Sequence, residues 1–490
     1  MLKESEIYSF ISEDKSNPVK LNASVGRRYY EGHHDILNYK LYYYNADGEL
    51  VEDTTRSNIK ISHPFFTELV DQCVQYMLSG KESFVKSDIP ELQEELDLYF
   101  GDDFKNEFAD TLTDVCVGGF GHMYAYKSVK DRIAFQYADA MGVVEVRGKD
   151  TDDHTDYVIY WYIDRVDKGN KKIKRIQVWD KNQVTYYVQI NDEKIEKDKE
   201  EPINPRPHIV YEKENEEGRF GDSFGFIPFF KLCANRKLSS HLNPVKSLID
   251  DYDLMACGLS NNIQDVSESL YVVKGFQGDN LEEMIQNIKT KKHIGVEPDG
   301  DVDIKTINIP YQARQTKMDL DEKNIYRFGM GFNSAQLGDG NITNIVIKSR
   351  YALLDLKCNK LENKVKSFLK KLIKIALREI NDINETDYQV NDVKINFDRE
   401  IMTNAADNAQ IEKTKAETQQ IQLNIVLNAA ARLDNDSVLQ EICKLLELDF
   451  EDTKSRLEQN PVVDLNSASE ALANAPLENP TIISKGDDEE

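Results

Sequence analysis

The chain has 490 residues, of which 61 are Lys or Arg and 87 are Asp or Glu, so its formal net charge is −26 at pH 7. That length predicts two to four domains at roughly 100–200 residues each, and an apolar content of 40% excludes a chain that is disordered throughout. So acidic a protein is not expected to grip nucleic acid over its whole surface, although its charge does not exclude a local basic patch.

Two bulk features bear on where the chain works. No apolar run approaches the roughly 18–20 residues of a membrane helix, and residues 1–6 lack the basic and apolar regions of a signal peptide, so we expect no membrane association. The cysteines contain no C-x-x-C pair, which disfavours a disulfide framework or a zinc site and favours a reducing compartment. They are Cys73, Cys116, Cys233, Cys257, Cys358 and Cys443.

Residues 1–120 are predicted to be mainly helical, because apolar side chains recur at helical spacing in 65–78, 92–100 and 104–117. From residue 122 to about 211 the chain contains short runs rich in β-branched and aromatic residues, separated by turn signals. These runs predict strands of an antiparallel meander; they are 123–126, 133–137, 143–146, 157–162, 175–179 and 184–188. A loop-rich segment is predicted to follow the strands, because prolines recur there at Pro202, Pro205, Pro207 and Pro228.

Two helices are predicted to bracket a small α/β unit. The first begins with Asn243 as N-cap and Pro244 as first helical residue, and carries an apolar stripe to Val266. The second spans about 313–328. Between them we expect a strand at 271–273, a short helix opened by Asp279 and Glu282, and a hairpin of 293–296 with 302–307 around a Pro-Asp-Gly turn at 298–300.

Residues 332–344 have no strong period and contain Gly338 and Gly340, so we expect a mobile loop. The longest predicted helix follows at 345–380. Its apolar residues alternate steps of four and three, the period of a coiled-coil seam: Leu354, Cys358, Leu361, Val365, Phe368, Leu372 and Ile375. A strand at 393–397 and Ala-, Gln- and Leu-rich helices from about 404 to 457 complete the ordered part. The acidic tail from Pro461 is expected to be disordered.

The long helix departs from the charge of the whole chain, with ten basic and three acidic residues between 345 and 380. Five of the cations recur every seven residues and form one slowly drifting stripe; they are Arg350, Lys357, Lys364, Lys371 and Arg378. Lys348 precedes them. The stripe is either a face that is solvated or paired with acids of a neighbouring helix, or a surface close to a polyanion such as DNA.

The sequence offers no positive evidence for an enzyme. It contains no phosphate-binding loop and no nucleophile elbow, and the pair Gly338 and Gly340 is too short a signal for a nucleotide site. Acidic pairs such as Asp102-Asp103, Asp152-Asp153 and Asp250-Asp251 are expected to be solvated rather than metal-bound. We therefore predict no catalytic residue, no cofactor and no metal. The aromatic run of Tyr39, Tyr42, Tyr43 and Tyr44 is expected to serve an interface or the core.

Several segments, in their order and spacing, resemble the tailed-bacteriophage portal proteins of the SPP1 type. They are RRYYEGHHDIL at 27–37, NIKISH at 58–63, LVDQ at 69–72, YMLSG at 76–80, IYRFG at 325–329 and KSRYALLDLK at 348–357. The resemblance runs from about residue 25 to 380, which is most of the chain.

The resemblance implies an α+β portal fold. Residues 1–240 would form the wing, 241–268 the first stem helix, 269–310 a small α/β clip, and 311–331 the second stem helix. The tunnel loop would span 332–344, the long tunnel-side basic helix 345–380, a strand returning to the wing 381–403, the helical crown 404–459 and the acidic tail 460–490. The portal subunits would assemble into a ring of about twelve or thirteen copies.

The resemblance also implies a function: a conduit at one capsid vertex through which double-stranded DNA is packaged, retained and ejected. Implied partners are the terminase large subunit, a head-completion or adaptor protein, and the major capsid and scaffolding proteins. The ring would be assembled in the host cytoplasm and kept in the virion. Two other classes remain open: a nucleic-acid-processing enzyme with an unrecognised metal site, and a helical scaffold or adaptor.

Three sets of candidate functional residues follow from that resemblance and the charge pattern. The tunnel-loop set is Asn333, Gln336, Leu337, Gly338, Asp339, Gly340, Asn341, Thr343 and Asn344. The basic set, close to DNA or to a neighbouring subunit, is Lys348, Arg350, Lys357, Lys364, Lys371 and Arg378. The clip docking surface is Asp279, Glu282, Glu283, Asn287, Lys291, Glu297 and Asp299.

Overall fold

The computed structural model describes residues 2–54, 56–80, 82–127, 132–148, 155–167, 171–213, 216–266, 270–276, 282, 284, 296–305, 310–333, 344–399, 405–446 and 448–459. Its contacts divide the chain into two compact units. The first comprises Met1–Leu337 and Ser349–Ile401, and the second comprises Gly338–Lys348 and Met402–Glu490.

The fold mixes helices and strands, as the sequence predicts. The helices are α1 Glu4–Asp14, α2 Pro18–Tyr30, α3 Phe65–Met77, α4 Pro90–Tyr99, α5 Asp102–Gly118, α6 Lys246–Val266, α7 Tyr311–Gly329, α8 Asn344–Asn384, α9 Ala405–Ala429, α10 Asn435–Leu445 and α11 Phe450–Gln459. The strands are β1 Tyr42–Tyr44, β2 Leu50–Glu52, β3 Val85–Ser87, β4 Phe120–Lys127, β5 Ile133–Ala138, β6 Val143–Arg147, β7 Thr155–Asp167, β8 Lys171–Trp179, β9 Gln183–Ile190, β10 Glu196–Lys197, β11 Arg206–Pro207, β12 Ile209–Lys213, β13 Glu216–Asp222, β14 Phe229–Cys233, β15 Leu270–Phe276, β16 Val296–Lys305 and β17 Val393–Ile395.

The main core of the first unit forms where α3, α5 and α8 meet. Every predicted seam residue of α8 is buried in this core, and the ring of Phe368 lies 6.3 Å from that of Phe108 on α5. The seam is therefore buried within the chain itself, against side chains of α3 and α5.

All six runs predicted to be β-strands form strands. The prediction that they make one antiparallel meander is wrong, because they are divided between two sheets. One antiparallel sheet has the order β10-β9-β8-β7-β6, while β4 and β5 pair in a second sheet with β14. The chain leaves one sheet for the other at a turn in which Gly142 N donates to Asp139 O at 2.8 Å. The free edge of β4 is taken by β14, about 100 residues further along the chain, which no local pattern encodes.

The α/β unit between α6 and α7 also differs from its prediction. Residues 296–305 form one strand, β16, which pairs antiparallel with β15. The Pro-Asp-Gly sequence at 298–300 is therefore not a hairpin turn. Instead the register shifts between Lys274 and Phe276, so that residues 297–300 bulge opposite Gly275, whose φ is +67°. Pro298 has no N–H to offer the ladder, which favours a bulge at this point. The predicted short helix falls outside the described residues apart from 282 and 284.

The first of the paired helices begins two residues later than predicted. Leu242 O accepts from both Val245 N at 2.9 Å and Lys246 N at 2.8 Å, so a tight turn precedes α6 and its regular part starts at Lys246. The return strand β17 pairs with β3 near the N-terminus. No helix of the described residues is both long and apolar enough to cross a membrane.

In the second unit, α9, α10 and α11 follow one another along the chain. Asp434 caps α10 by accepting from Ser437 N at 3.0 Å, and Lys454 Nζ of α11 lies 2.6 Å from Asp436 of α10. Val438 and Cys443 supply buried apolar contacts. Residues 460–490, the predicted acidic tail, lie outside the described residues.

Candidate functional site

An extended segment, residues 57–63, runs along α6 and binds it through a regular ladder. Its alternate backbone N–H groups donate to side chains spaced every four residues on the helix. The four pairs are Ser57 with Asp265 at 3.2 Å, Ile59 with Asn261 at 2.6 Å, Ile61 with Cys257 Sγ at 3.1 Å and His63 with Asp253 at 3.0 Å. Two strand residues advance about 6.7 Å and four helical residues about 6 Å, so the two repeats stay in step.

Asp253 anchors this ladder as a fully buried carboxylate. Its Oδ2 lies 2.6 Å from His34 Nδ1, and its Oδ1 lies 2.7 Å from His63 Nδ1. Burial alone would raise the pKa of Asp253, but the hydrogen bonds from His34 and His63 outweigh it and hold that pKa below its ordinary value. The carboxylate thus ties α6 to two segments that precede it by about 200 residues.

A second polar cluster fastens the start of α6 to the end of α2. Tyr29 donates its hydroxyl hydrogen to Asp250, and Lys246 Nζ lies 2.6 Å from Asp35 and 2.7 Å from Asp250. Arg28 adds an ion pair with Asp35 at 2.6 Å. Burial tends to raise the pKa of Asp35, yet its hydrogen bonds with Lys246, Arg28 and Tyr29 lower it to about 2. The RRYYEGHHD motif therefore acts as a clasp on α6.

The end of α7 is held by α3. Gln72 Nε2 donates to Phe332 O at 2.7 Å, while Phe332 N donates to Gln72 Oε1 at 2.9 Å. Tyr326 donates to Glu68 at 2.5 Å. A Cβ on Gly331 would lie 2.2 Å from Leu69 Cδ2, so the side chain of Leu69 would have to shift for any other residue at this position. The position of the chain is thus fixed up to Phe332, directly before the predicted tunnel loop.

Most of the predicted tunnel-loop residues lie outside the described residues: Gln336, Leu337, Gly338, Asp339, Gly340, Asn341 and Thr343. Asn333 and Asn344 flank them, and Asn333 Nδ2 donates to Glu322 at 2.8 Å. Of the clip set, Asp279, Glu283, Asn287 and Lys291 also fall outside the described residues. Glu282, Glu297 and Asp299 are exposed, the last two in the bulge of β16.

The basic stripe of α8 divides into two parts. Lys357 points inward, where its Nζ donates to Gly329 O at 3.0 Å, and Arg350 is half-buried. Lys364, Lys371 and Arg378 are exposed, and within the described part of the chain none of them has an ion-pair partner. The change follows from the repeat itself, because a heptad falls about 20° short of two helical turns and the stripe rotates along the helix. Lys348 is exposed as well.

Neither the ladder nor a cluster of thiols was predicted from the sequence. The four ladder side chains, at 253, 257, 261 and 265, do repeat every four residues, and that spacing of hydrogen-bonding groups was a signal that could have been found. The ligand atoms of Cys73, Cys116 and His241 lie within 4.8 Å of one another. No spacing pattern indicates that cluster, since its members come from distant segments.

The comparisons with known proteins agree with the resemblance seen in the sequence. Residues 20–454 match the family model described as "Phage portal protein, SPP1 Gp6-like". The portal protein of Bacillus phage SPP1 is 26% identical over 358 residues, covering 73% of this chain and 69% of that relative. The portal protein of Clostridium phage phiCD119 is 24% identical over 421 residues, covering 80% of this chain and 87% of the relative. Proteins of this kind are structural components of the phage and not enzymes. The chain belongs to the SPP1 Gp6-like family of phage portal proteins.

Proposed function

We propose that the chain assembles into a closed ring of about twelve or thirteen copies and that double-stranded DNA is packaged, retained and ejected through its centre. The family match over residues 20–454 carries this proposal. A closed ring needs two different complementary faces on each subunit, and a large chain with several elements can provide them. The ring would occupy one capsid vertex in the virion, after assembly in the host cytoplasm.

The contacts that hold α6 and α7 suit a ring subunit in which a pair of helices must keep a fixed position. The helix pair α6 and α7 would be the stem, with residues 1–240 and the return strand as wing. The paired strands β15 and β16 would belong to the clip at 269–310, residues 332–344 to the tunnel loop, and α9 to α11 to the crown. The ladder would fasten the stem helix α6 to the wing. The two hydrogen bonds of Gln72 with the backbone of Phe332, here called the Gln72 clamp, would fasten α7 in the same way.

Contact with DNA is proposed for the exposed half of the basic stripe. Lys364, Lys371 and Arg378 offer cations that no acid of the described residues neutralises, available to phosphates or to a neighbouring subunit. A conduit must let DNA slide, and neutralising many phosphates would produce tight, salt-sensitive binding. Three local cations on a chain of net charge −26 therefore suit weak contact with DNA that does not depend on the base sequence.

Docking of other phage proteins is proposed for the clip and its surroundings. Glu282, Glu297 and Asp299 are exposed carboxylates that could receive basic side chains of the terminase large subunit during packaging. After packaging, a head-completion or adaptor protein would take the place of the terminase. The major capsid and scaffolding proteins would contact the ring during assembly.

Electron microscopy of the purified protein tests the ring. We expect closed rings with a central hole and about twelve or thirteen subunits. Strictly monomeric protein under all assembly conditions would count against the proposal. A deletion of 337–341 tests the tunnel loop separately: rings should remain intact while packaging or retention of DNA falls. Normal packaging by the deletion variant would exclude that role for the loop.

A further inference from the structure

Three sulfur and nitrogen ligands converge in the main core of the first unit. Cys73 comes from α3, Cys116 from α5 and His241 from the turn before α6, and their ligand atoms lie within 4.8 Å of one another. Both cysteines are fully buried. Such a convergence of two thiols and an imidazole is typical of the ligands that Zn²⁺ takes in proteins.

Cys358 is the candidate for a fourth ligand, because it lies beside one of the three. Cys358 of α8 places its Sγ 3.8 Å from Cys73 Sγ. Tetrahedral Zn²⁺ with Zn–S bonds of about 2.3 Å holds two sulfurs about 3.8 Å apart, so this pair already has the required separation. The ligand atoms of Cys73, Cys116 and His241 lie up to 4.8 Å apart, so they need to approach one another by about 1 Å to bind one ion. Cys358 lies outside that group of three and has to move closer to Cys116 and His241 to complete the geometry.

The histidine supplies an independent reason to expect a bound ion. His241 Nδ1 is buried, and among the described residues it has no hydrogen-bond partner. Buried polar atoms without partners are rare in native proteins, and a metal ion bound to Nδ1 would satisfy this atom. The His241 backbone N–H donates to Cys116 O at 3.0 Å, which keeps the imidazole beside the thiols.

The charge of the surroundings is suitable for a thiolate site. Three thiolates, one neutral imidazole and Zn²⁺ together carry one negative charge. Lys357, next to Cys358 on α8, is close enough to Cys73 and Cys116 to interact with both electrostatically. Soft thiolate ligands favour Zn²⁺ over Mg²⁺ or Ca²⁺, which prefer oxygen.

We propose that Cys73, Cys116, His241 and Cys358 bind a structural zinc ion that joins α3, α5, the start of α6 and α8. Binding would release the thiol protons, with no oxidation or reduction. The ion would fix the basic helix α8 to α3, which carries Gln72. It would also fix α8 to the turn before α6, the helix that the RRYYEGHHD motif clasps. The site does not depend on the ring or on DNA.

Metal analysis of the purified full-length protein, kept reduced with a non-chelating phosphine, tests the proposal. We expect about one zinc per chain, and replacement by Co²⁺ should give the visible absorption bands of a tetrahedral thiolate site. Cys73→Ser, Cys116→Ser and His241→Ala should each lose most of the zinc, and Cys358→Ser should shift the cobalt bands. Cys233→Ser is the matched control, since Cys233 is outside the cluster, and it should keep the metal.

Two results on the wild-type protein would overturn the proposal, independently of how the variants fold. One is wild-type protein that contains no zinc and gives no cobalt bands when reconstituted with its thiols reduced. The other is a metal-free wild type in which thiol counting finds a disulfide between Cys73 and Cys358. Equal zinc content in wild type and in a folded His241→Ala variant, with unchanged cobalt bands, would remove His241 from the site and contradict the assignment as stated.

Discussion

Replacing Asp253 by Ala should release the segment 57–63 from α6. The substitution removes the buried acceptor of three hydrogen bonds, from His34 Nδ1, His63 Nδ1 and His63 N. Hydrogen bonds to a charged group contribute about 1.5–3 kcal/mol each, and losing one partner of a buried ionic cluster costs about 3–5 kcal/mol. Because the three bonds share one carboxylate, we expect a loss of about 3–5 kcal/mol rather than their sum.

Hydrogen exchange measures this loss locally, which suits a chain of two units that need not unfold together. The amides of Ile61 and His63 should exchange roughly a hundred to several thousand times faster in Asp253→Ala. Asp265→Ala is the matched control, because Asp265 is exposed and accepts one bond at the other end of the same ladder. It should cost about 1 kcal/mol or less. Equal effects of the two variants would refute the anchoring role of Asp253.

Three further predictions follow from the same structure. Asp35 has a pKa lowered from 3.8 to about 2, so its stabilising effect should be present above pH 4 and disappear as the pH falls toward 2. Since Asp35 is half-exposed, acid titration of thermal stability should differ between wild type and Asp35→Asn by only about 1 kcal/mol. Gly26→Ala would place a Cβ 2.0 Å from Val117 O, so overpacking should lower the free energy of unfolding by about 1–3 kcal/mol or more. The melting temperature should fall accordingly. Lys364→Glu with Lys371→Glu should reduce DNA packaging, measured in infected cells, while leaving rings visible by microscopy; collapse of the ring would instead assign these cations to subunit pairing.

Local patterns were sufficient wherever a few neighbouring residues decide the structure. The alternation of steps of four and three in α8 marked its buried face, and the β-branched and aromatic runs marked six strands. The heptad spacing of the cations also showed that the stripe would drift, although not where it would turn inward. The family resemblance, rather than any single motif, carried the functional expectation.

What local patterns could not decide were pairings between distant segments. The pairing of β14 with β4 joins segments about 100 residues apart, and the bulge in β16 depends on its fit to β15. Likewise the thiols of Cys73 and Cys116 meet His241 only because α3, α5 and the turn before α6 pack together.

The sequence by itself thus determined the long helices, six of the strands, the buried face of α8 and the uneven distribution of charge, because each depends on the order and spacing of nearby residues. The tertiary structure alone decided which cations remain exposed, which carboxylate anchors α6 and which thiols converge. Those features depend on contacts between segments as much as 285 residues apart, which only the packed core brings together.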